Sequence, residues 1–300
     1  MDKTLCKLAV VQAAPILFDW YASLEKAKNL VCEAAEEGAQ LIVFPEAFLP
    51  GYPRGFSFGT TIGHRRPEGR KLWRLYQQAC HAVPGPAIQS LAELAAKRQV
   101  WIVIGVVEKS KTGSLYCSML FLNPAGELCH HHRKIKPTAA ERLIWAEGDG
   151  RSLHAVDTEW GPMGGLICWE NYMPAARMKL YQDGVGIYLA PTADQRLSWQ
   201  ASMQHIACEG RTFVIGCNQY VEKSMYPADM LAMESLAGMS EILCRGGSVV
   251  VSPLGEILAG PLFDQEGIIY ADLDMNLVQE ARLDLDVSGH YDRPDLFGQA

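Results

Sequence analysis

The order of apolar runs predicts an α/β fold, and three observations carry that expectation. Stretches with helical spacing alternate with strand-like stretches along the chain. Four strand candidates, LIVF, WIVIGVV, GIYLA and FVIGC, are continuous apolar runs, which implies sheets covered on both faces. No linker divides the halves, so residues 1–300 read as a single domain. Periodicity leaves two layouts open: one doubly wound sheet, or two sheets face to face with helices outside.

Taken in order, residues 5–14 read as a strand and 22–40 as a helix whose Leu24, Ala27, Val31 and Ala34 recur at helical spacing. Residues 41–44 form a second strand leading to Glu46. A helix over 86–97, with Ile88, Leu91 and Ala95 on one face, precedes the strand WIVIGVVE. The loop signal NPAGE separates LYCSMLFL from the strand that carries Lys134. The second half repeats the grammar: GGLIC, a helix over 174–182, the strand GIYLA, a helix over 199–211, and the strand FVIGCN. SVVVSPLGEILAG then reads as a hairpin turning at 253–256.

With 49% hydrophobic residues the chain can bury a sizeable core. Its net charge of -7 argues against a nucleic-acid partner, and the basic pair Arg65 and Arg66 and the stretch 133–136 are too short to reverse that. The opening MDKTLCKLAV lacks the regions of a secretory signal, and no apolar run approaches the roughly 20 residues that cross a bilayer. Nine cysteines, an odd number without paired spacing, read as reduced thiols. A cytoplasmic protein with no membrane contact is therefore expected.

Three chemically apt residues sit at the ends of apolar runs: Glu46 after LIVFP, Lys134 in HHHRKIKPT, and Cys168 in GGLICWENYMP. Taken singly, a cysteine is inert packing and a glutamate or lysine is solvated surface. Their shared setting changes that, because the carboxyl ends of strands in α/β sheets converge on sites. A carboxylate, an ammonium and a thiol are a base, an electrostatic stabiliser and a nucleophile. Lys136 lies two residues from Lys134 and so shares its strand face, which leaves both lysines open. Cys129, His130, His131 and His132 are competent metal ligands, but neighbours on a strand alternate faces and do not easily close one tetrahedral site. No metal is expected there. His205, in MQHIACEG, reads as an interior histidine.

The blocks FPEAFLPGYP, HRKIKPTAAERLIW and LICWENYMP resemble the signature blocks of the nitrilase branch of the carbon–nitrogen hydrolase superfamily. RGFSFG, VPGP, EGDG, APTAD, SMQHIACEG, GGSVVVSPLGEILAGP and GHYDRPD extend the resemblance over residues 8–296. It implies a four-layer αββα sandwich and selects Lys134, since the family lysine follows His-Arg directly. It also gives Glu141 a supporting role in holding the lysine and water. Cys-Trp-Glu-Asn is the form seen in nitrile-hydrolysing members.

The chemistry the resemblance implies is attack of Cys168 on a small-molecule nitrile, then a thioimidate, loss of ammonia, and a thioester that water releases as the acid. No cofactor is required. Tyr52, Trp169, Glu170, Asn171 and Thr192 are the expected substrate-binding positions. Trp169 should supply a backbone N–H near the developing anion, and Glu170 and Asn171 alternatively serve as local hydrogen bonders at a helix start. Tyr52, Phe56 and Phe58, with Trp145, Trp169 and Tyr172, suggest an apolar pocket for aromatic or arylaliphatic nitriles. The Met-rich stretch 221–245, with Met230, Met233 and Met239, is expected to line the entrance. Many nitrilases continue past the position of Ala300 with a tail that builds spirals, so a homodimer or higher homo-oligomer is expected rather than a filament. The alternatives are an amidase, a carbamoylase or an amide-releasing enzyme of the same superfamily, or a noncatalytic binding protein on this fold.

Overall fold

The computed structural model describes residues 4–228, 230 and 236–298. In chain order the strands are β1 (Leu5–Gln12), β2 (Leu41–Val43), β3 (Thr60–Thr61), β4 (His64–Arg65), β5 (Trp101–Lys109), β6 (Leu115–Leu122), β7 (Leu128–Arg133) and β8 (Val156–Thr158). They continue with β9 (Gly161–Gly165), β10 (Ile187–Thr192), β11 (Phe213–Asn218), β12 (Tyr220–Glu222), β13 (Ile242–Val251), β14 (Ile257–Phe263) and β15 (Gly267–Asp274). The helices are α1 (Trp20–Glu36), α2 (Pro67–Ala79), α3 (Pro86–Arg98), α4 (Pro174–Gln182), α5 (Leu197–Gly210), α6 (Asn276–Ala281) and α7 (Pro294–Phe297).

Two mixed sheets result, ordered β15-β1-β2-β5-β6-β7 and β12-β13-β11-β10-β9-β8, with β14 beside β13. Each has a parallel trio at its centre: β1, β2 and β5 in one, β9, β10 and β11 in the other. Antiparallel strands flank both trios.

The alternation of side chains along each strand assigns the layers. Leu8 and Val10 of β1 enter a core between the sheets, with Val103 and Phe121 from the same sheet and Met163, Leu189, Ile215 and Val250 from the other. Ala9 and Val11 point the opposite way, under Leu24 and Val31 of α1 and Ile88 and Leu91 of α3. The second sheet's outer face, with Tyr188, Ala190 and Val214, is covered by Leu180 of α4 and Trp199, Met203 and Ile206 of α5. Helices therefore lie outside two facing sheets, in an αββα sandwich. This is why the central strands read as continuous apolar runs.

The boundaries differ from the sequence expectation in ways that have local causes. The first helix starts at Trp20 because the Asp19 side chain accepts the Ala22 N–H at 2.9 Å, and it stops at Glu36, with Gly38 at φ +85° in the turn beyond. The strand GGLIC ends at Gly165, although Leu166 N–H still donates to Leu189 O at 3.0 Å before the chain turns. Helix α2, with Gly69, Leu72 and Tyr76 buried, and strand β15, paired with β1 over eight residues, have no counterpart in that expectation.

Candidate active site

Lys134 is the first residue past β7. Its backbone N–H donates to Cys117 O on β6, and its carbonyl accepts the Gly148 N–H, both at 2.8 Å. The side chain is buried, with Nζ 2.6 Å from Glu46 Oε1 and 2.7 Å from Glu141 Oε2. Burial works against the ammonium, but Glu46, Cys168 and Glu141 outweigh it and hold Lys134 well above the usual lysine range.

Glu46 follows β2 on a loop pinned by Gln219, whose Nε2 donates to Glu46 O at 2.8 Å. Ala47 next to it takes φ +51°, and the loop crosses directly over Gly105 of β5, where a Cβ would meet Pro45 O at 2.2 Å. Besides Lys134, Oε1 receives the Cys117 thiol at 3.6 Å. Oε2 has no hydrogen-bond partner among the described residues. Burial pushes this carboxyl up, against the pull of Lys134.

Cys168 opens a 3-10 turn, Cys168–Tyr172, at φ +53°, a left-handed conformation that non-glycine residues seldom adopt. Asn171 holds the turn: its Nδ2 donates to Leu166 O at 2.8 Å and Cys168 O at 2.7 Å, while Oδ1 accepts from Tyr188. Thr192 Oγ1, on β10, donates to Cys168 Sγ at 3.1 Å. Burial pushes the thiol up to about 12, reinforced by the Glu46 charge and opposed by Lys134 and Thr192. Glu141 lies in the 3-10 turn Ala139–Leu143, where Tyr52 donates to Oε1 and the Thr138 N–H to Oε2, both at 2.7 Å.

Glu46, Lys134, Glu141 and Cys168, distant in sequence, thus meet at the carboxyl side of strands from both sheets. A cavity of about 370 Å³ opens over Cys168, lined by Tyr52, Thr138, Glu141, Trp169, Asp194 and Arg196 among others. It adjoins a second of about 450 Å³, whose wall includes Phe56, Leu143, Ile144 and Met239 and which shares Tyr52, Arg54 and Glu141 with the first.

Of the expected substrate-binding positions, Tyr52 and Trp169 line the cavity and Thr192 touches the thiol. The Trp169 ring is partly exposed, with Nε1 donating to Asp194 Oδ2 at 2.8 Å and the Arg196 guanidinium 4.7 Å above it. Glu170 and Asn171 are buried beneath the turn and do not line either cavity. Lys136 is exposed and pairs with Glu147, so only one of the two lysines faces the cluster. Phe58 packs in the core between the sheets and also lines the second cavity together with Phe56, while Trp145 belongs to the core. Met230 packs in that core, Met239 is on the cavity wall, and Met233 lies outside the described residues.

The histidine run alternates as strand geometry requires. His131 and Arg133 bind Glu108 on one face of β7, and His132 binds Glu170 on the other. His205 is a correction: its side chain is 68% exposed beside Glu209 on α5, because the position falls on the solvent side of that helix. Cys117, Gln219 and Arg54 also touch the site, and no sequence motif assigns them a role in it. Cys117 carries one faint signal, its same-face spacing with Met119 and Phe121 toward the inter-sheet layer.

The carbon–nitrogen hydrolase family model matches residues 7–283. Over 291 residues the chain is 47% identical to a nitrilase from Bradyrhizobium diazoefficiens, covering 97% of this chain and 90% of that one. It is 47% identical over 294 residues to an aliphatic nitrilase from Sinorhizobium fredii, with 98% and 94% covered. The same identity over 294 residues holds for a bifunctional nitrilase/nitrile hydratase from Nicotiana tabacum, with 97% and 84% covered. A crystal structure of a Saccharomyces cerevisiae member of branch 10 of the nitrilase superfamily superposes with a TM-score of 0.76 at 24% identity, covering 97% of each chain, a likeness of fold alone.

Sandwich, buried cluster and family match together define a carbon–nitrogen hydrolase, and the chain belongs to that family. Within it, the 47% relatives place the chain among the nitrilases.

Proposed function

We propose that this nitrilase converts an organic nitrile to the carboxylic acid and ammonia through a covalent intermediate on Cys168. The observation that carries the mechanism is the buried cluster of Glu46, Lys134 and Cys168, in which Glu46 interacts with both the ammonium and the thiol. A thiol raised to about 12 is protonated at rest, so its proton passes to Glu46 as sulfur attacks the nitrile carbon. The nitrile nitrogen takes that proton and becomes the thioimidate N–H. Lys134 and the backbone N–H of Trp169 stabilise the charge that develops on nitrogen.

Water then adds, with Glu46 as the base and Glu141 holding Lys134 and the water in place. The C–N bond breaks with the nitrogen protonated, ammonia leaves, and a thioester remains. A second water releases the acid and returns the proton to the thiol. Tyr52 fixes Glu141, and Thr192 orients the sulfur. Glu170 and Asn171 act beneath the turn rather than on the substrate.

For the substrate we favour aromatic or arylaliphatic nitriles, because Phe56, Leu143, Ile144 and Met239 present an apolar wall next to the reacting centre. A second reading, release of part of the product as amide, is favoured by the 47% identity to the bifunctional Nicotiana tabacum enzyme. The nine free cysteines support placement in a reducing cytoplasm, where the chain acts as a single-domain homo-oligomer.

The test is an assay with aromatic, arylaliphatic and aliphatic nitriles, measuring acid, amide and ammonia for each. Acid with matching ammonia, fastest for arylaliphatic nitriles, is expected. Turnover of amides or carbamoyl compounds with every nitrile untouched would move the protein to another branch of the family.

A further inference from the structure

Two buried carboxylates receive the two faces of β7, and they do different things. On one face Glu108 takes His131 at 2.7 Å, Arg133 at 2.6 and 3.0 Å, and Ser118 at 2.8 Å, all within the first sheet. On the other face Glu170 belongs to the nucleophile turn and reaches across the sandwich. Its Oε1 accepts the Ile135 N–H at 2.5 Å, and its Oε2 accepts the Ile167 N–H at 2.7 Å. His132 Nε2 lies 3.1 Å from Oε2, and His132 Nδ1 lies 3.0 Å from Ser152 Oγ. Ile135 is the residue after Lys134, and Ile167 is the residue before Cys168.

One carboxylate therefore joins the backbone beside the ammonium to the backbone beside the thiol. Both oxygens of Glu170 accept backbone N–H groups, so the His132 nitrogen that faces Oε2 is the donor. That fixes the tautomer and leaves Glu170 no freedom to turn. With the side chains of both residues essentially sealed from water, the link has no solvent to replace it.

We propose that His132 and Glu170 form a brace that sets the position of Lys134 relative to Cys168 and thereby decides which bond of the tetrahedral intermediate breaks. This rests on the nitrile-hydrolysing reading. The intermediate carries an amine, a hydroxyl and the sulfur on one carbon. When Glu46 and Lys134 are placed to protonate the nitrogen, the C–N bond breaks, ammonia leaves, the hydroxyl loses its proton and the thioester forms. When they are displaced, the C–S bond breaks instead, the sulfur leaves with its electron pair, the hydroxyl proton passes to it as the C=O bond forms, and the amide is released. The two residues are positioning residues, since neither lines the cavity.

Glu170→Gln keeps the shape but turns one acceptor into an NH2 group facing a backbone N–H. In the full-length protein it should lower kcat tenfold or more, at the scale of about 10²-fold for an ångström of misplacement, with KM within about twofold. The acid-to-amide ratio should shift severalfold toward amide. A fall in the folded fraction alone leaves that ratio unchanged, which makes it the decisive readout. His132→Ala should shift the ratio in the same direction, and His132→Gln, which keeps a donor, should restore part of it.

Glu108→Gln is the control, an equally buried carboxylate on the same strand: it should lower thermal stability and leave the ratio at the wild-type value. An unchanged ratio in both Glu170→Gln and His132→Ala, or an equal shift in Glu108→Gln, overturns the brace. Should Glu170→Gln not fold, the two His132 variants decide. A wild-type protein that releases neither acid nor amide from any nitrile overturns the functional reading instead.

Discussion

Burial and the neighbouring Glu46 charge push the Cys168 thiol up to about 12, so the thiol and not the thiolate is the resting form at pH 7. A preformed thiolate is thus a poor account of reactivity, and proton transfer to Glu46 has to accompany attack. Cys168→Ala should abolish turnover while thermal unfolding stays within a few degrees of wild type; acid formation by that variant would remove the nucleophile assignment. Glu46 and Cys168 were legible because each stands where an apolar run breaks, and the resemblance, through the His-Arg that precedes it, pointed to Lys134, which the structure brings to Glu46 while Lys136 pairs with Glu147. Cys117 and Gln219 were not legible. A thiol inside LYCSMLFL reads as packing until the fold brings it 3.6 Å from Glu46, and Gln219 acts through a contact 173 residues away.

At the scale of elements, the approach of the Glu46 loop to β5 depends on Gly105. A Cβ there would lie 2.2 Å from Pro45 O, 2.5 Å from Ala47 N and 2.8 Å from Glu46 C, all backbone atoms that cannot swing aside. Gly105→Ala should therefore cost about 1–3 kcal/mol, the scale of overpacking a filled interior, and displace Glu46 from Lys134. Urea unfolding together with kcat would show both effects, and a variant with wild-type values in each would mean that the loop yields. Most elements were visible in the sequence because continuous apolar runs and helical spacing are local signals. The choice between one sheet and two was not, since it depends on which side of each strand faces the other sheet. Strand β15 escaped because its pairing partner, β1, lies at the other end of the chain.

Across the whole molecule, buried charges make stability depend on pH with opposite signs. Burial alone would raise Glu108, but His131 and Arg133 hold it down to about 2, and Asp194 and Glu209 are likewise held below their ordinary range by their arginine partners despite partial burial. A depressed carboxyl contributes stability that is fully present above its unfolded pKa, about 4.3 for glutamate, and is lost as pH falls through the folded value. Glu46, raised by burial, acts the other way: its contribution is present at low pH and lost as pH rises through its folded value. Among the described buried and half-buried carboxyls three are depressed and one is raised, and burial also lowers His130 to about 4, so the acid side should be dominated by loss. The unfolding temperature should fall as pH drops from about 4.3 toward 2, with Glu108 titrating last. Glu108→Gln should be less stable than wild type at pH 7 and show a shallower fall over that window, so that the two curves converge near pH 2. Parallel curves across the window would show that the Glu108 cluster is not the group that titrates there.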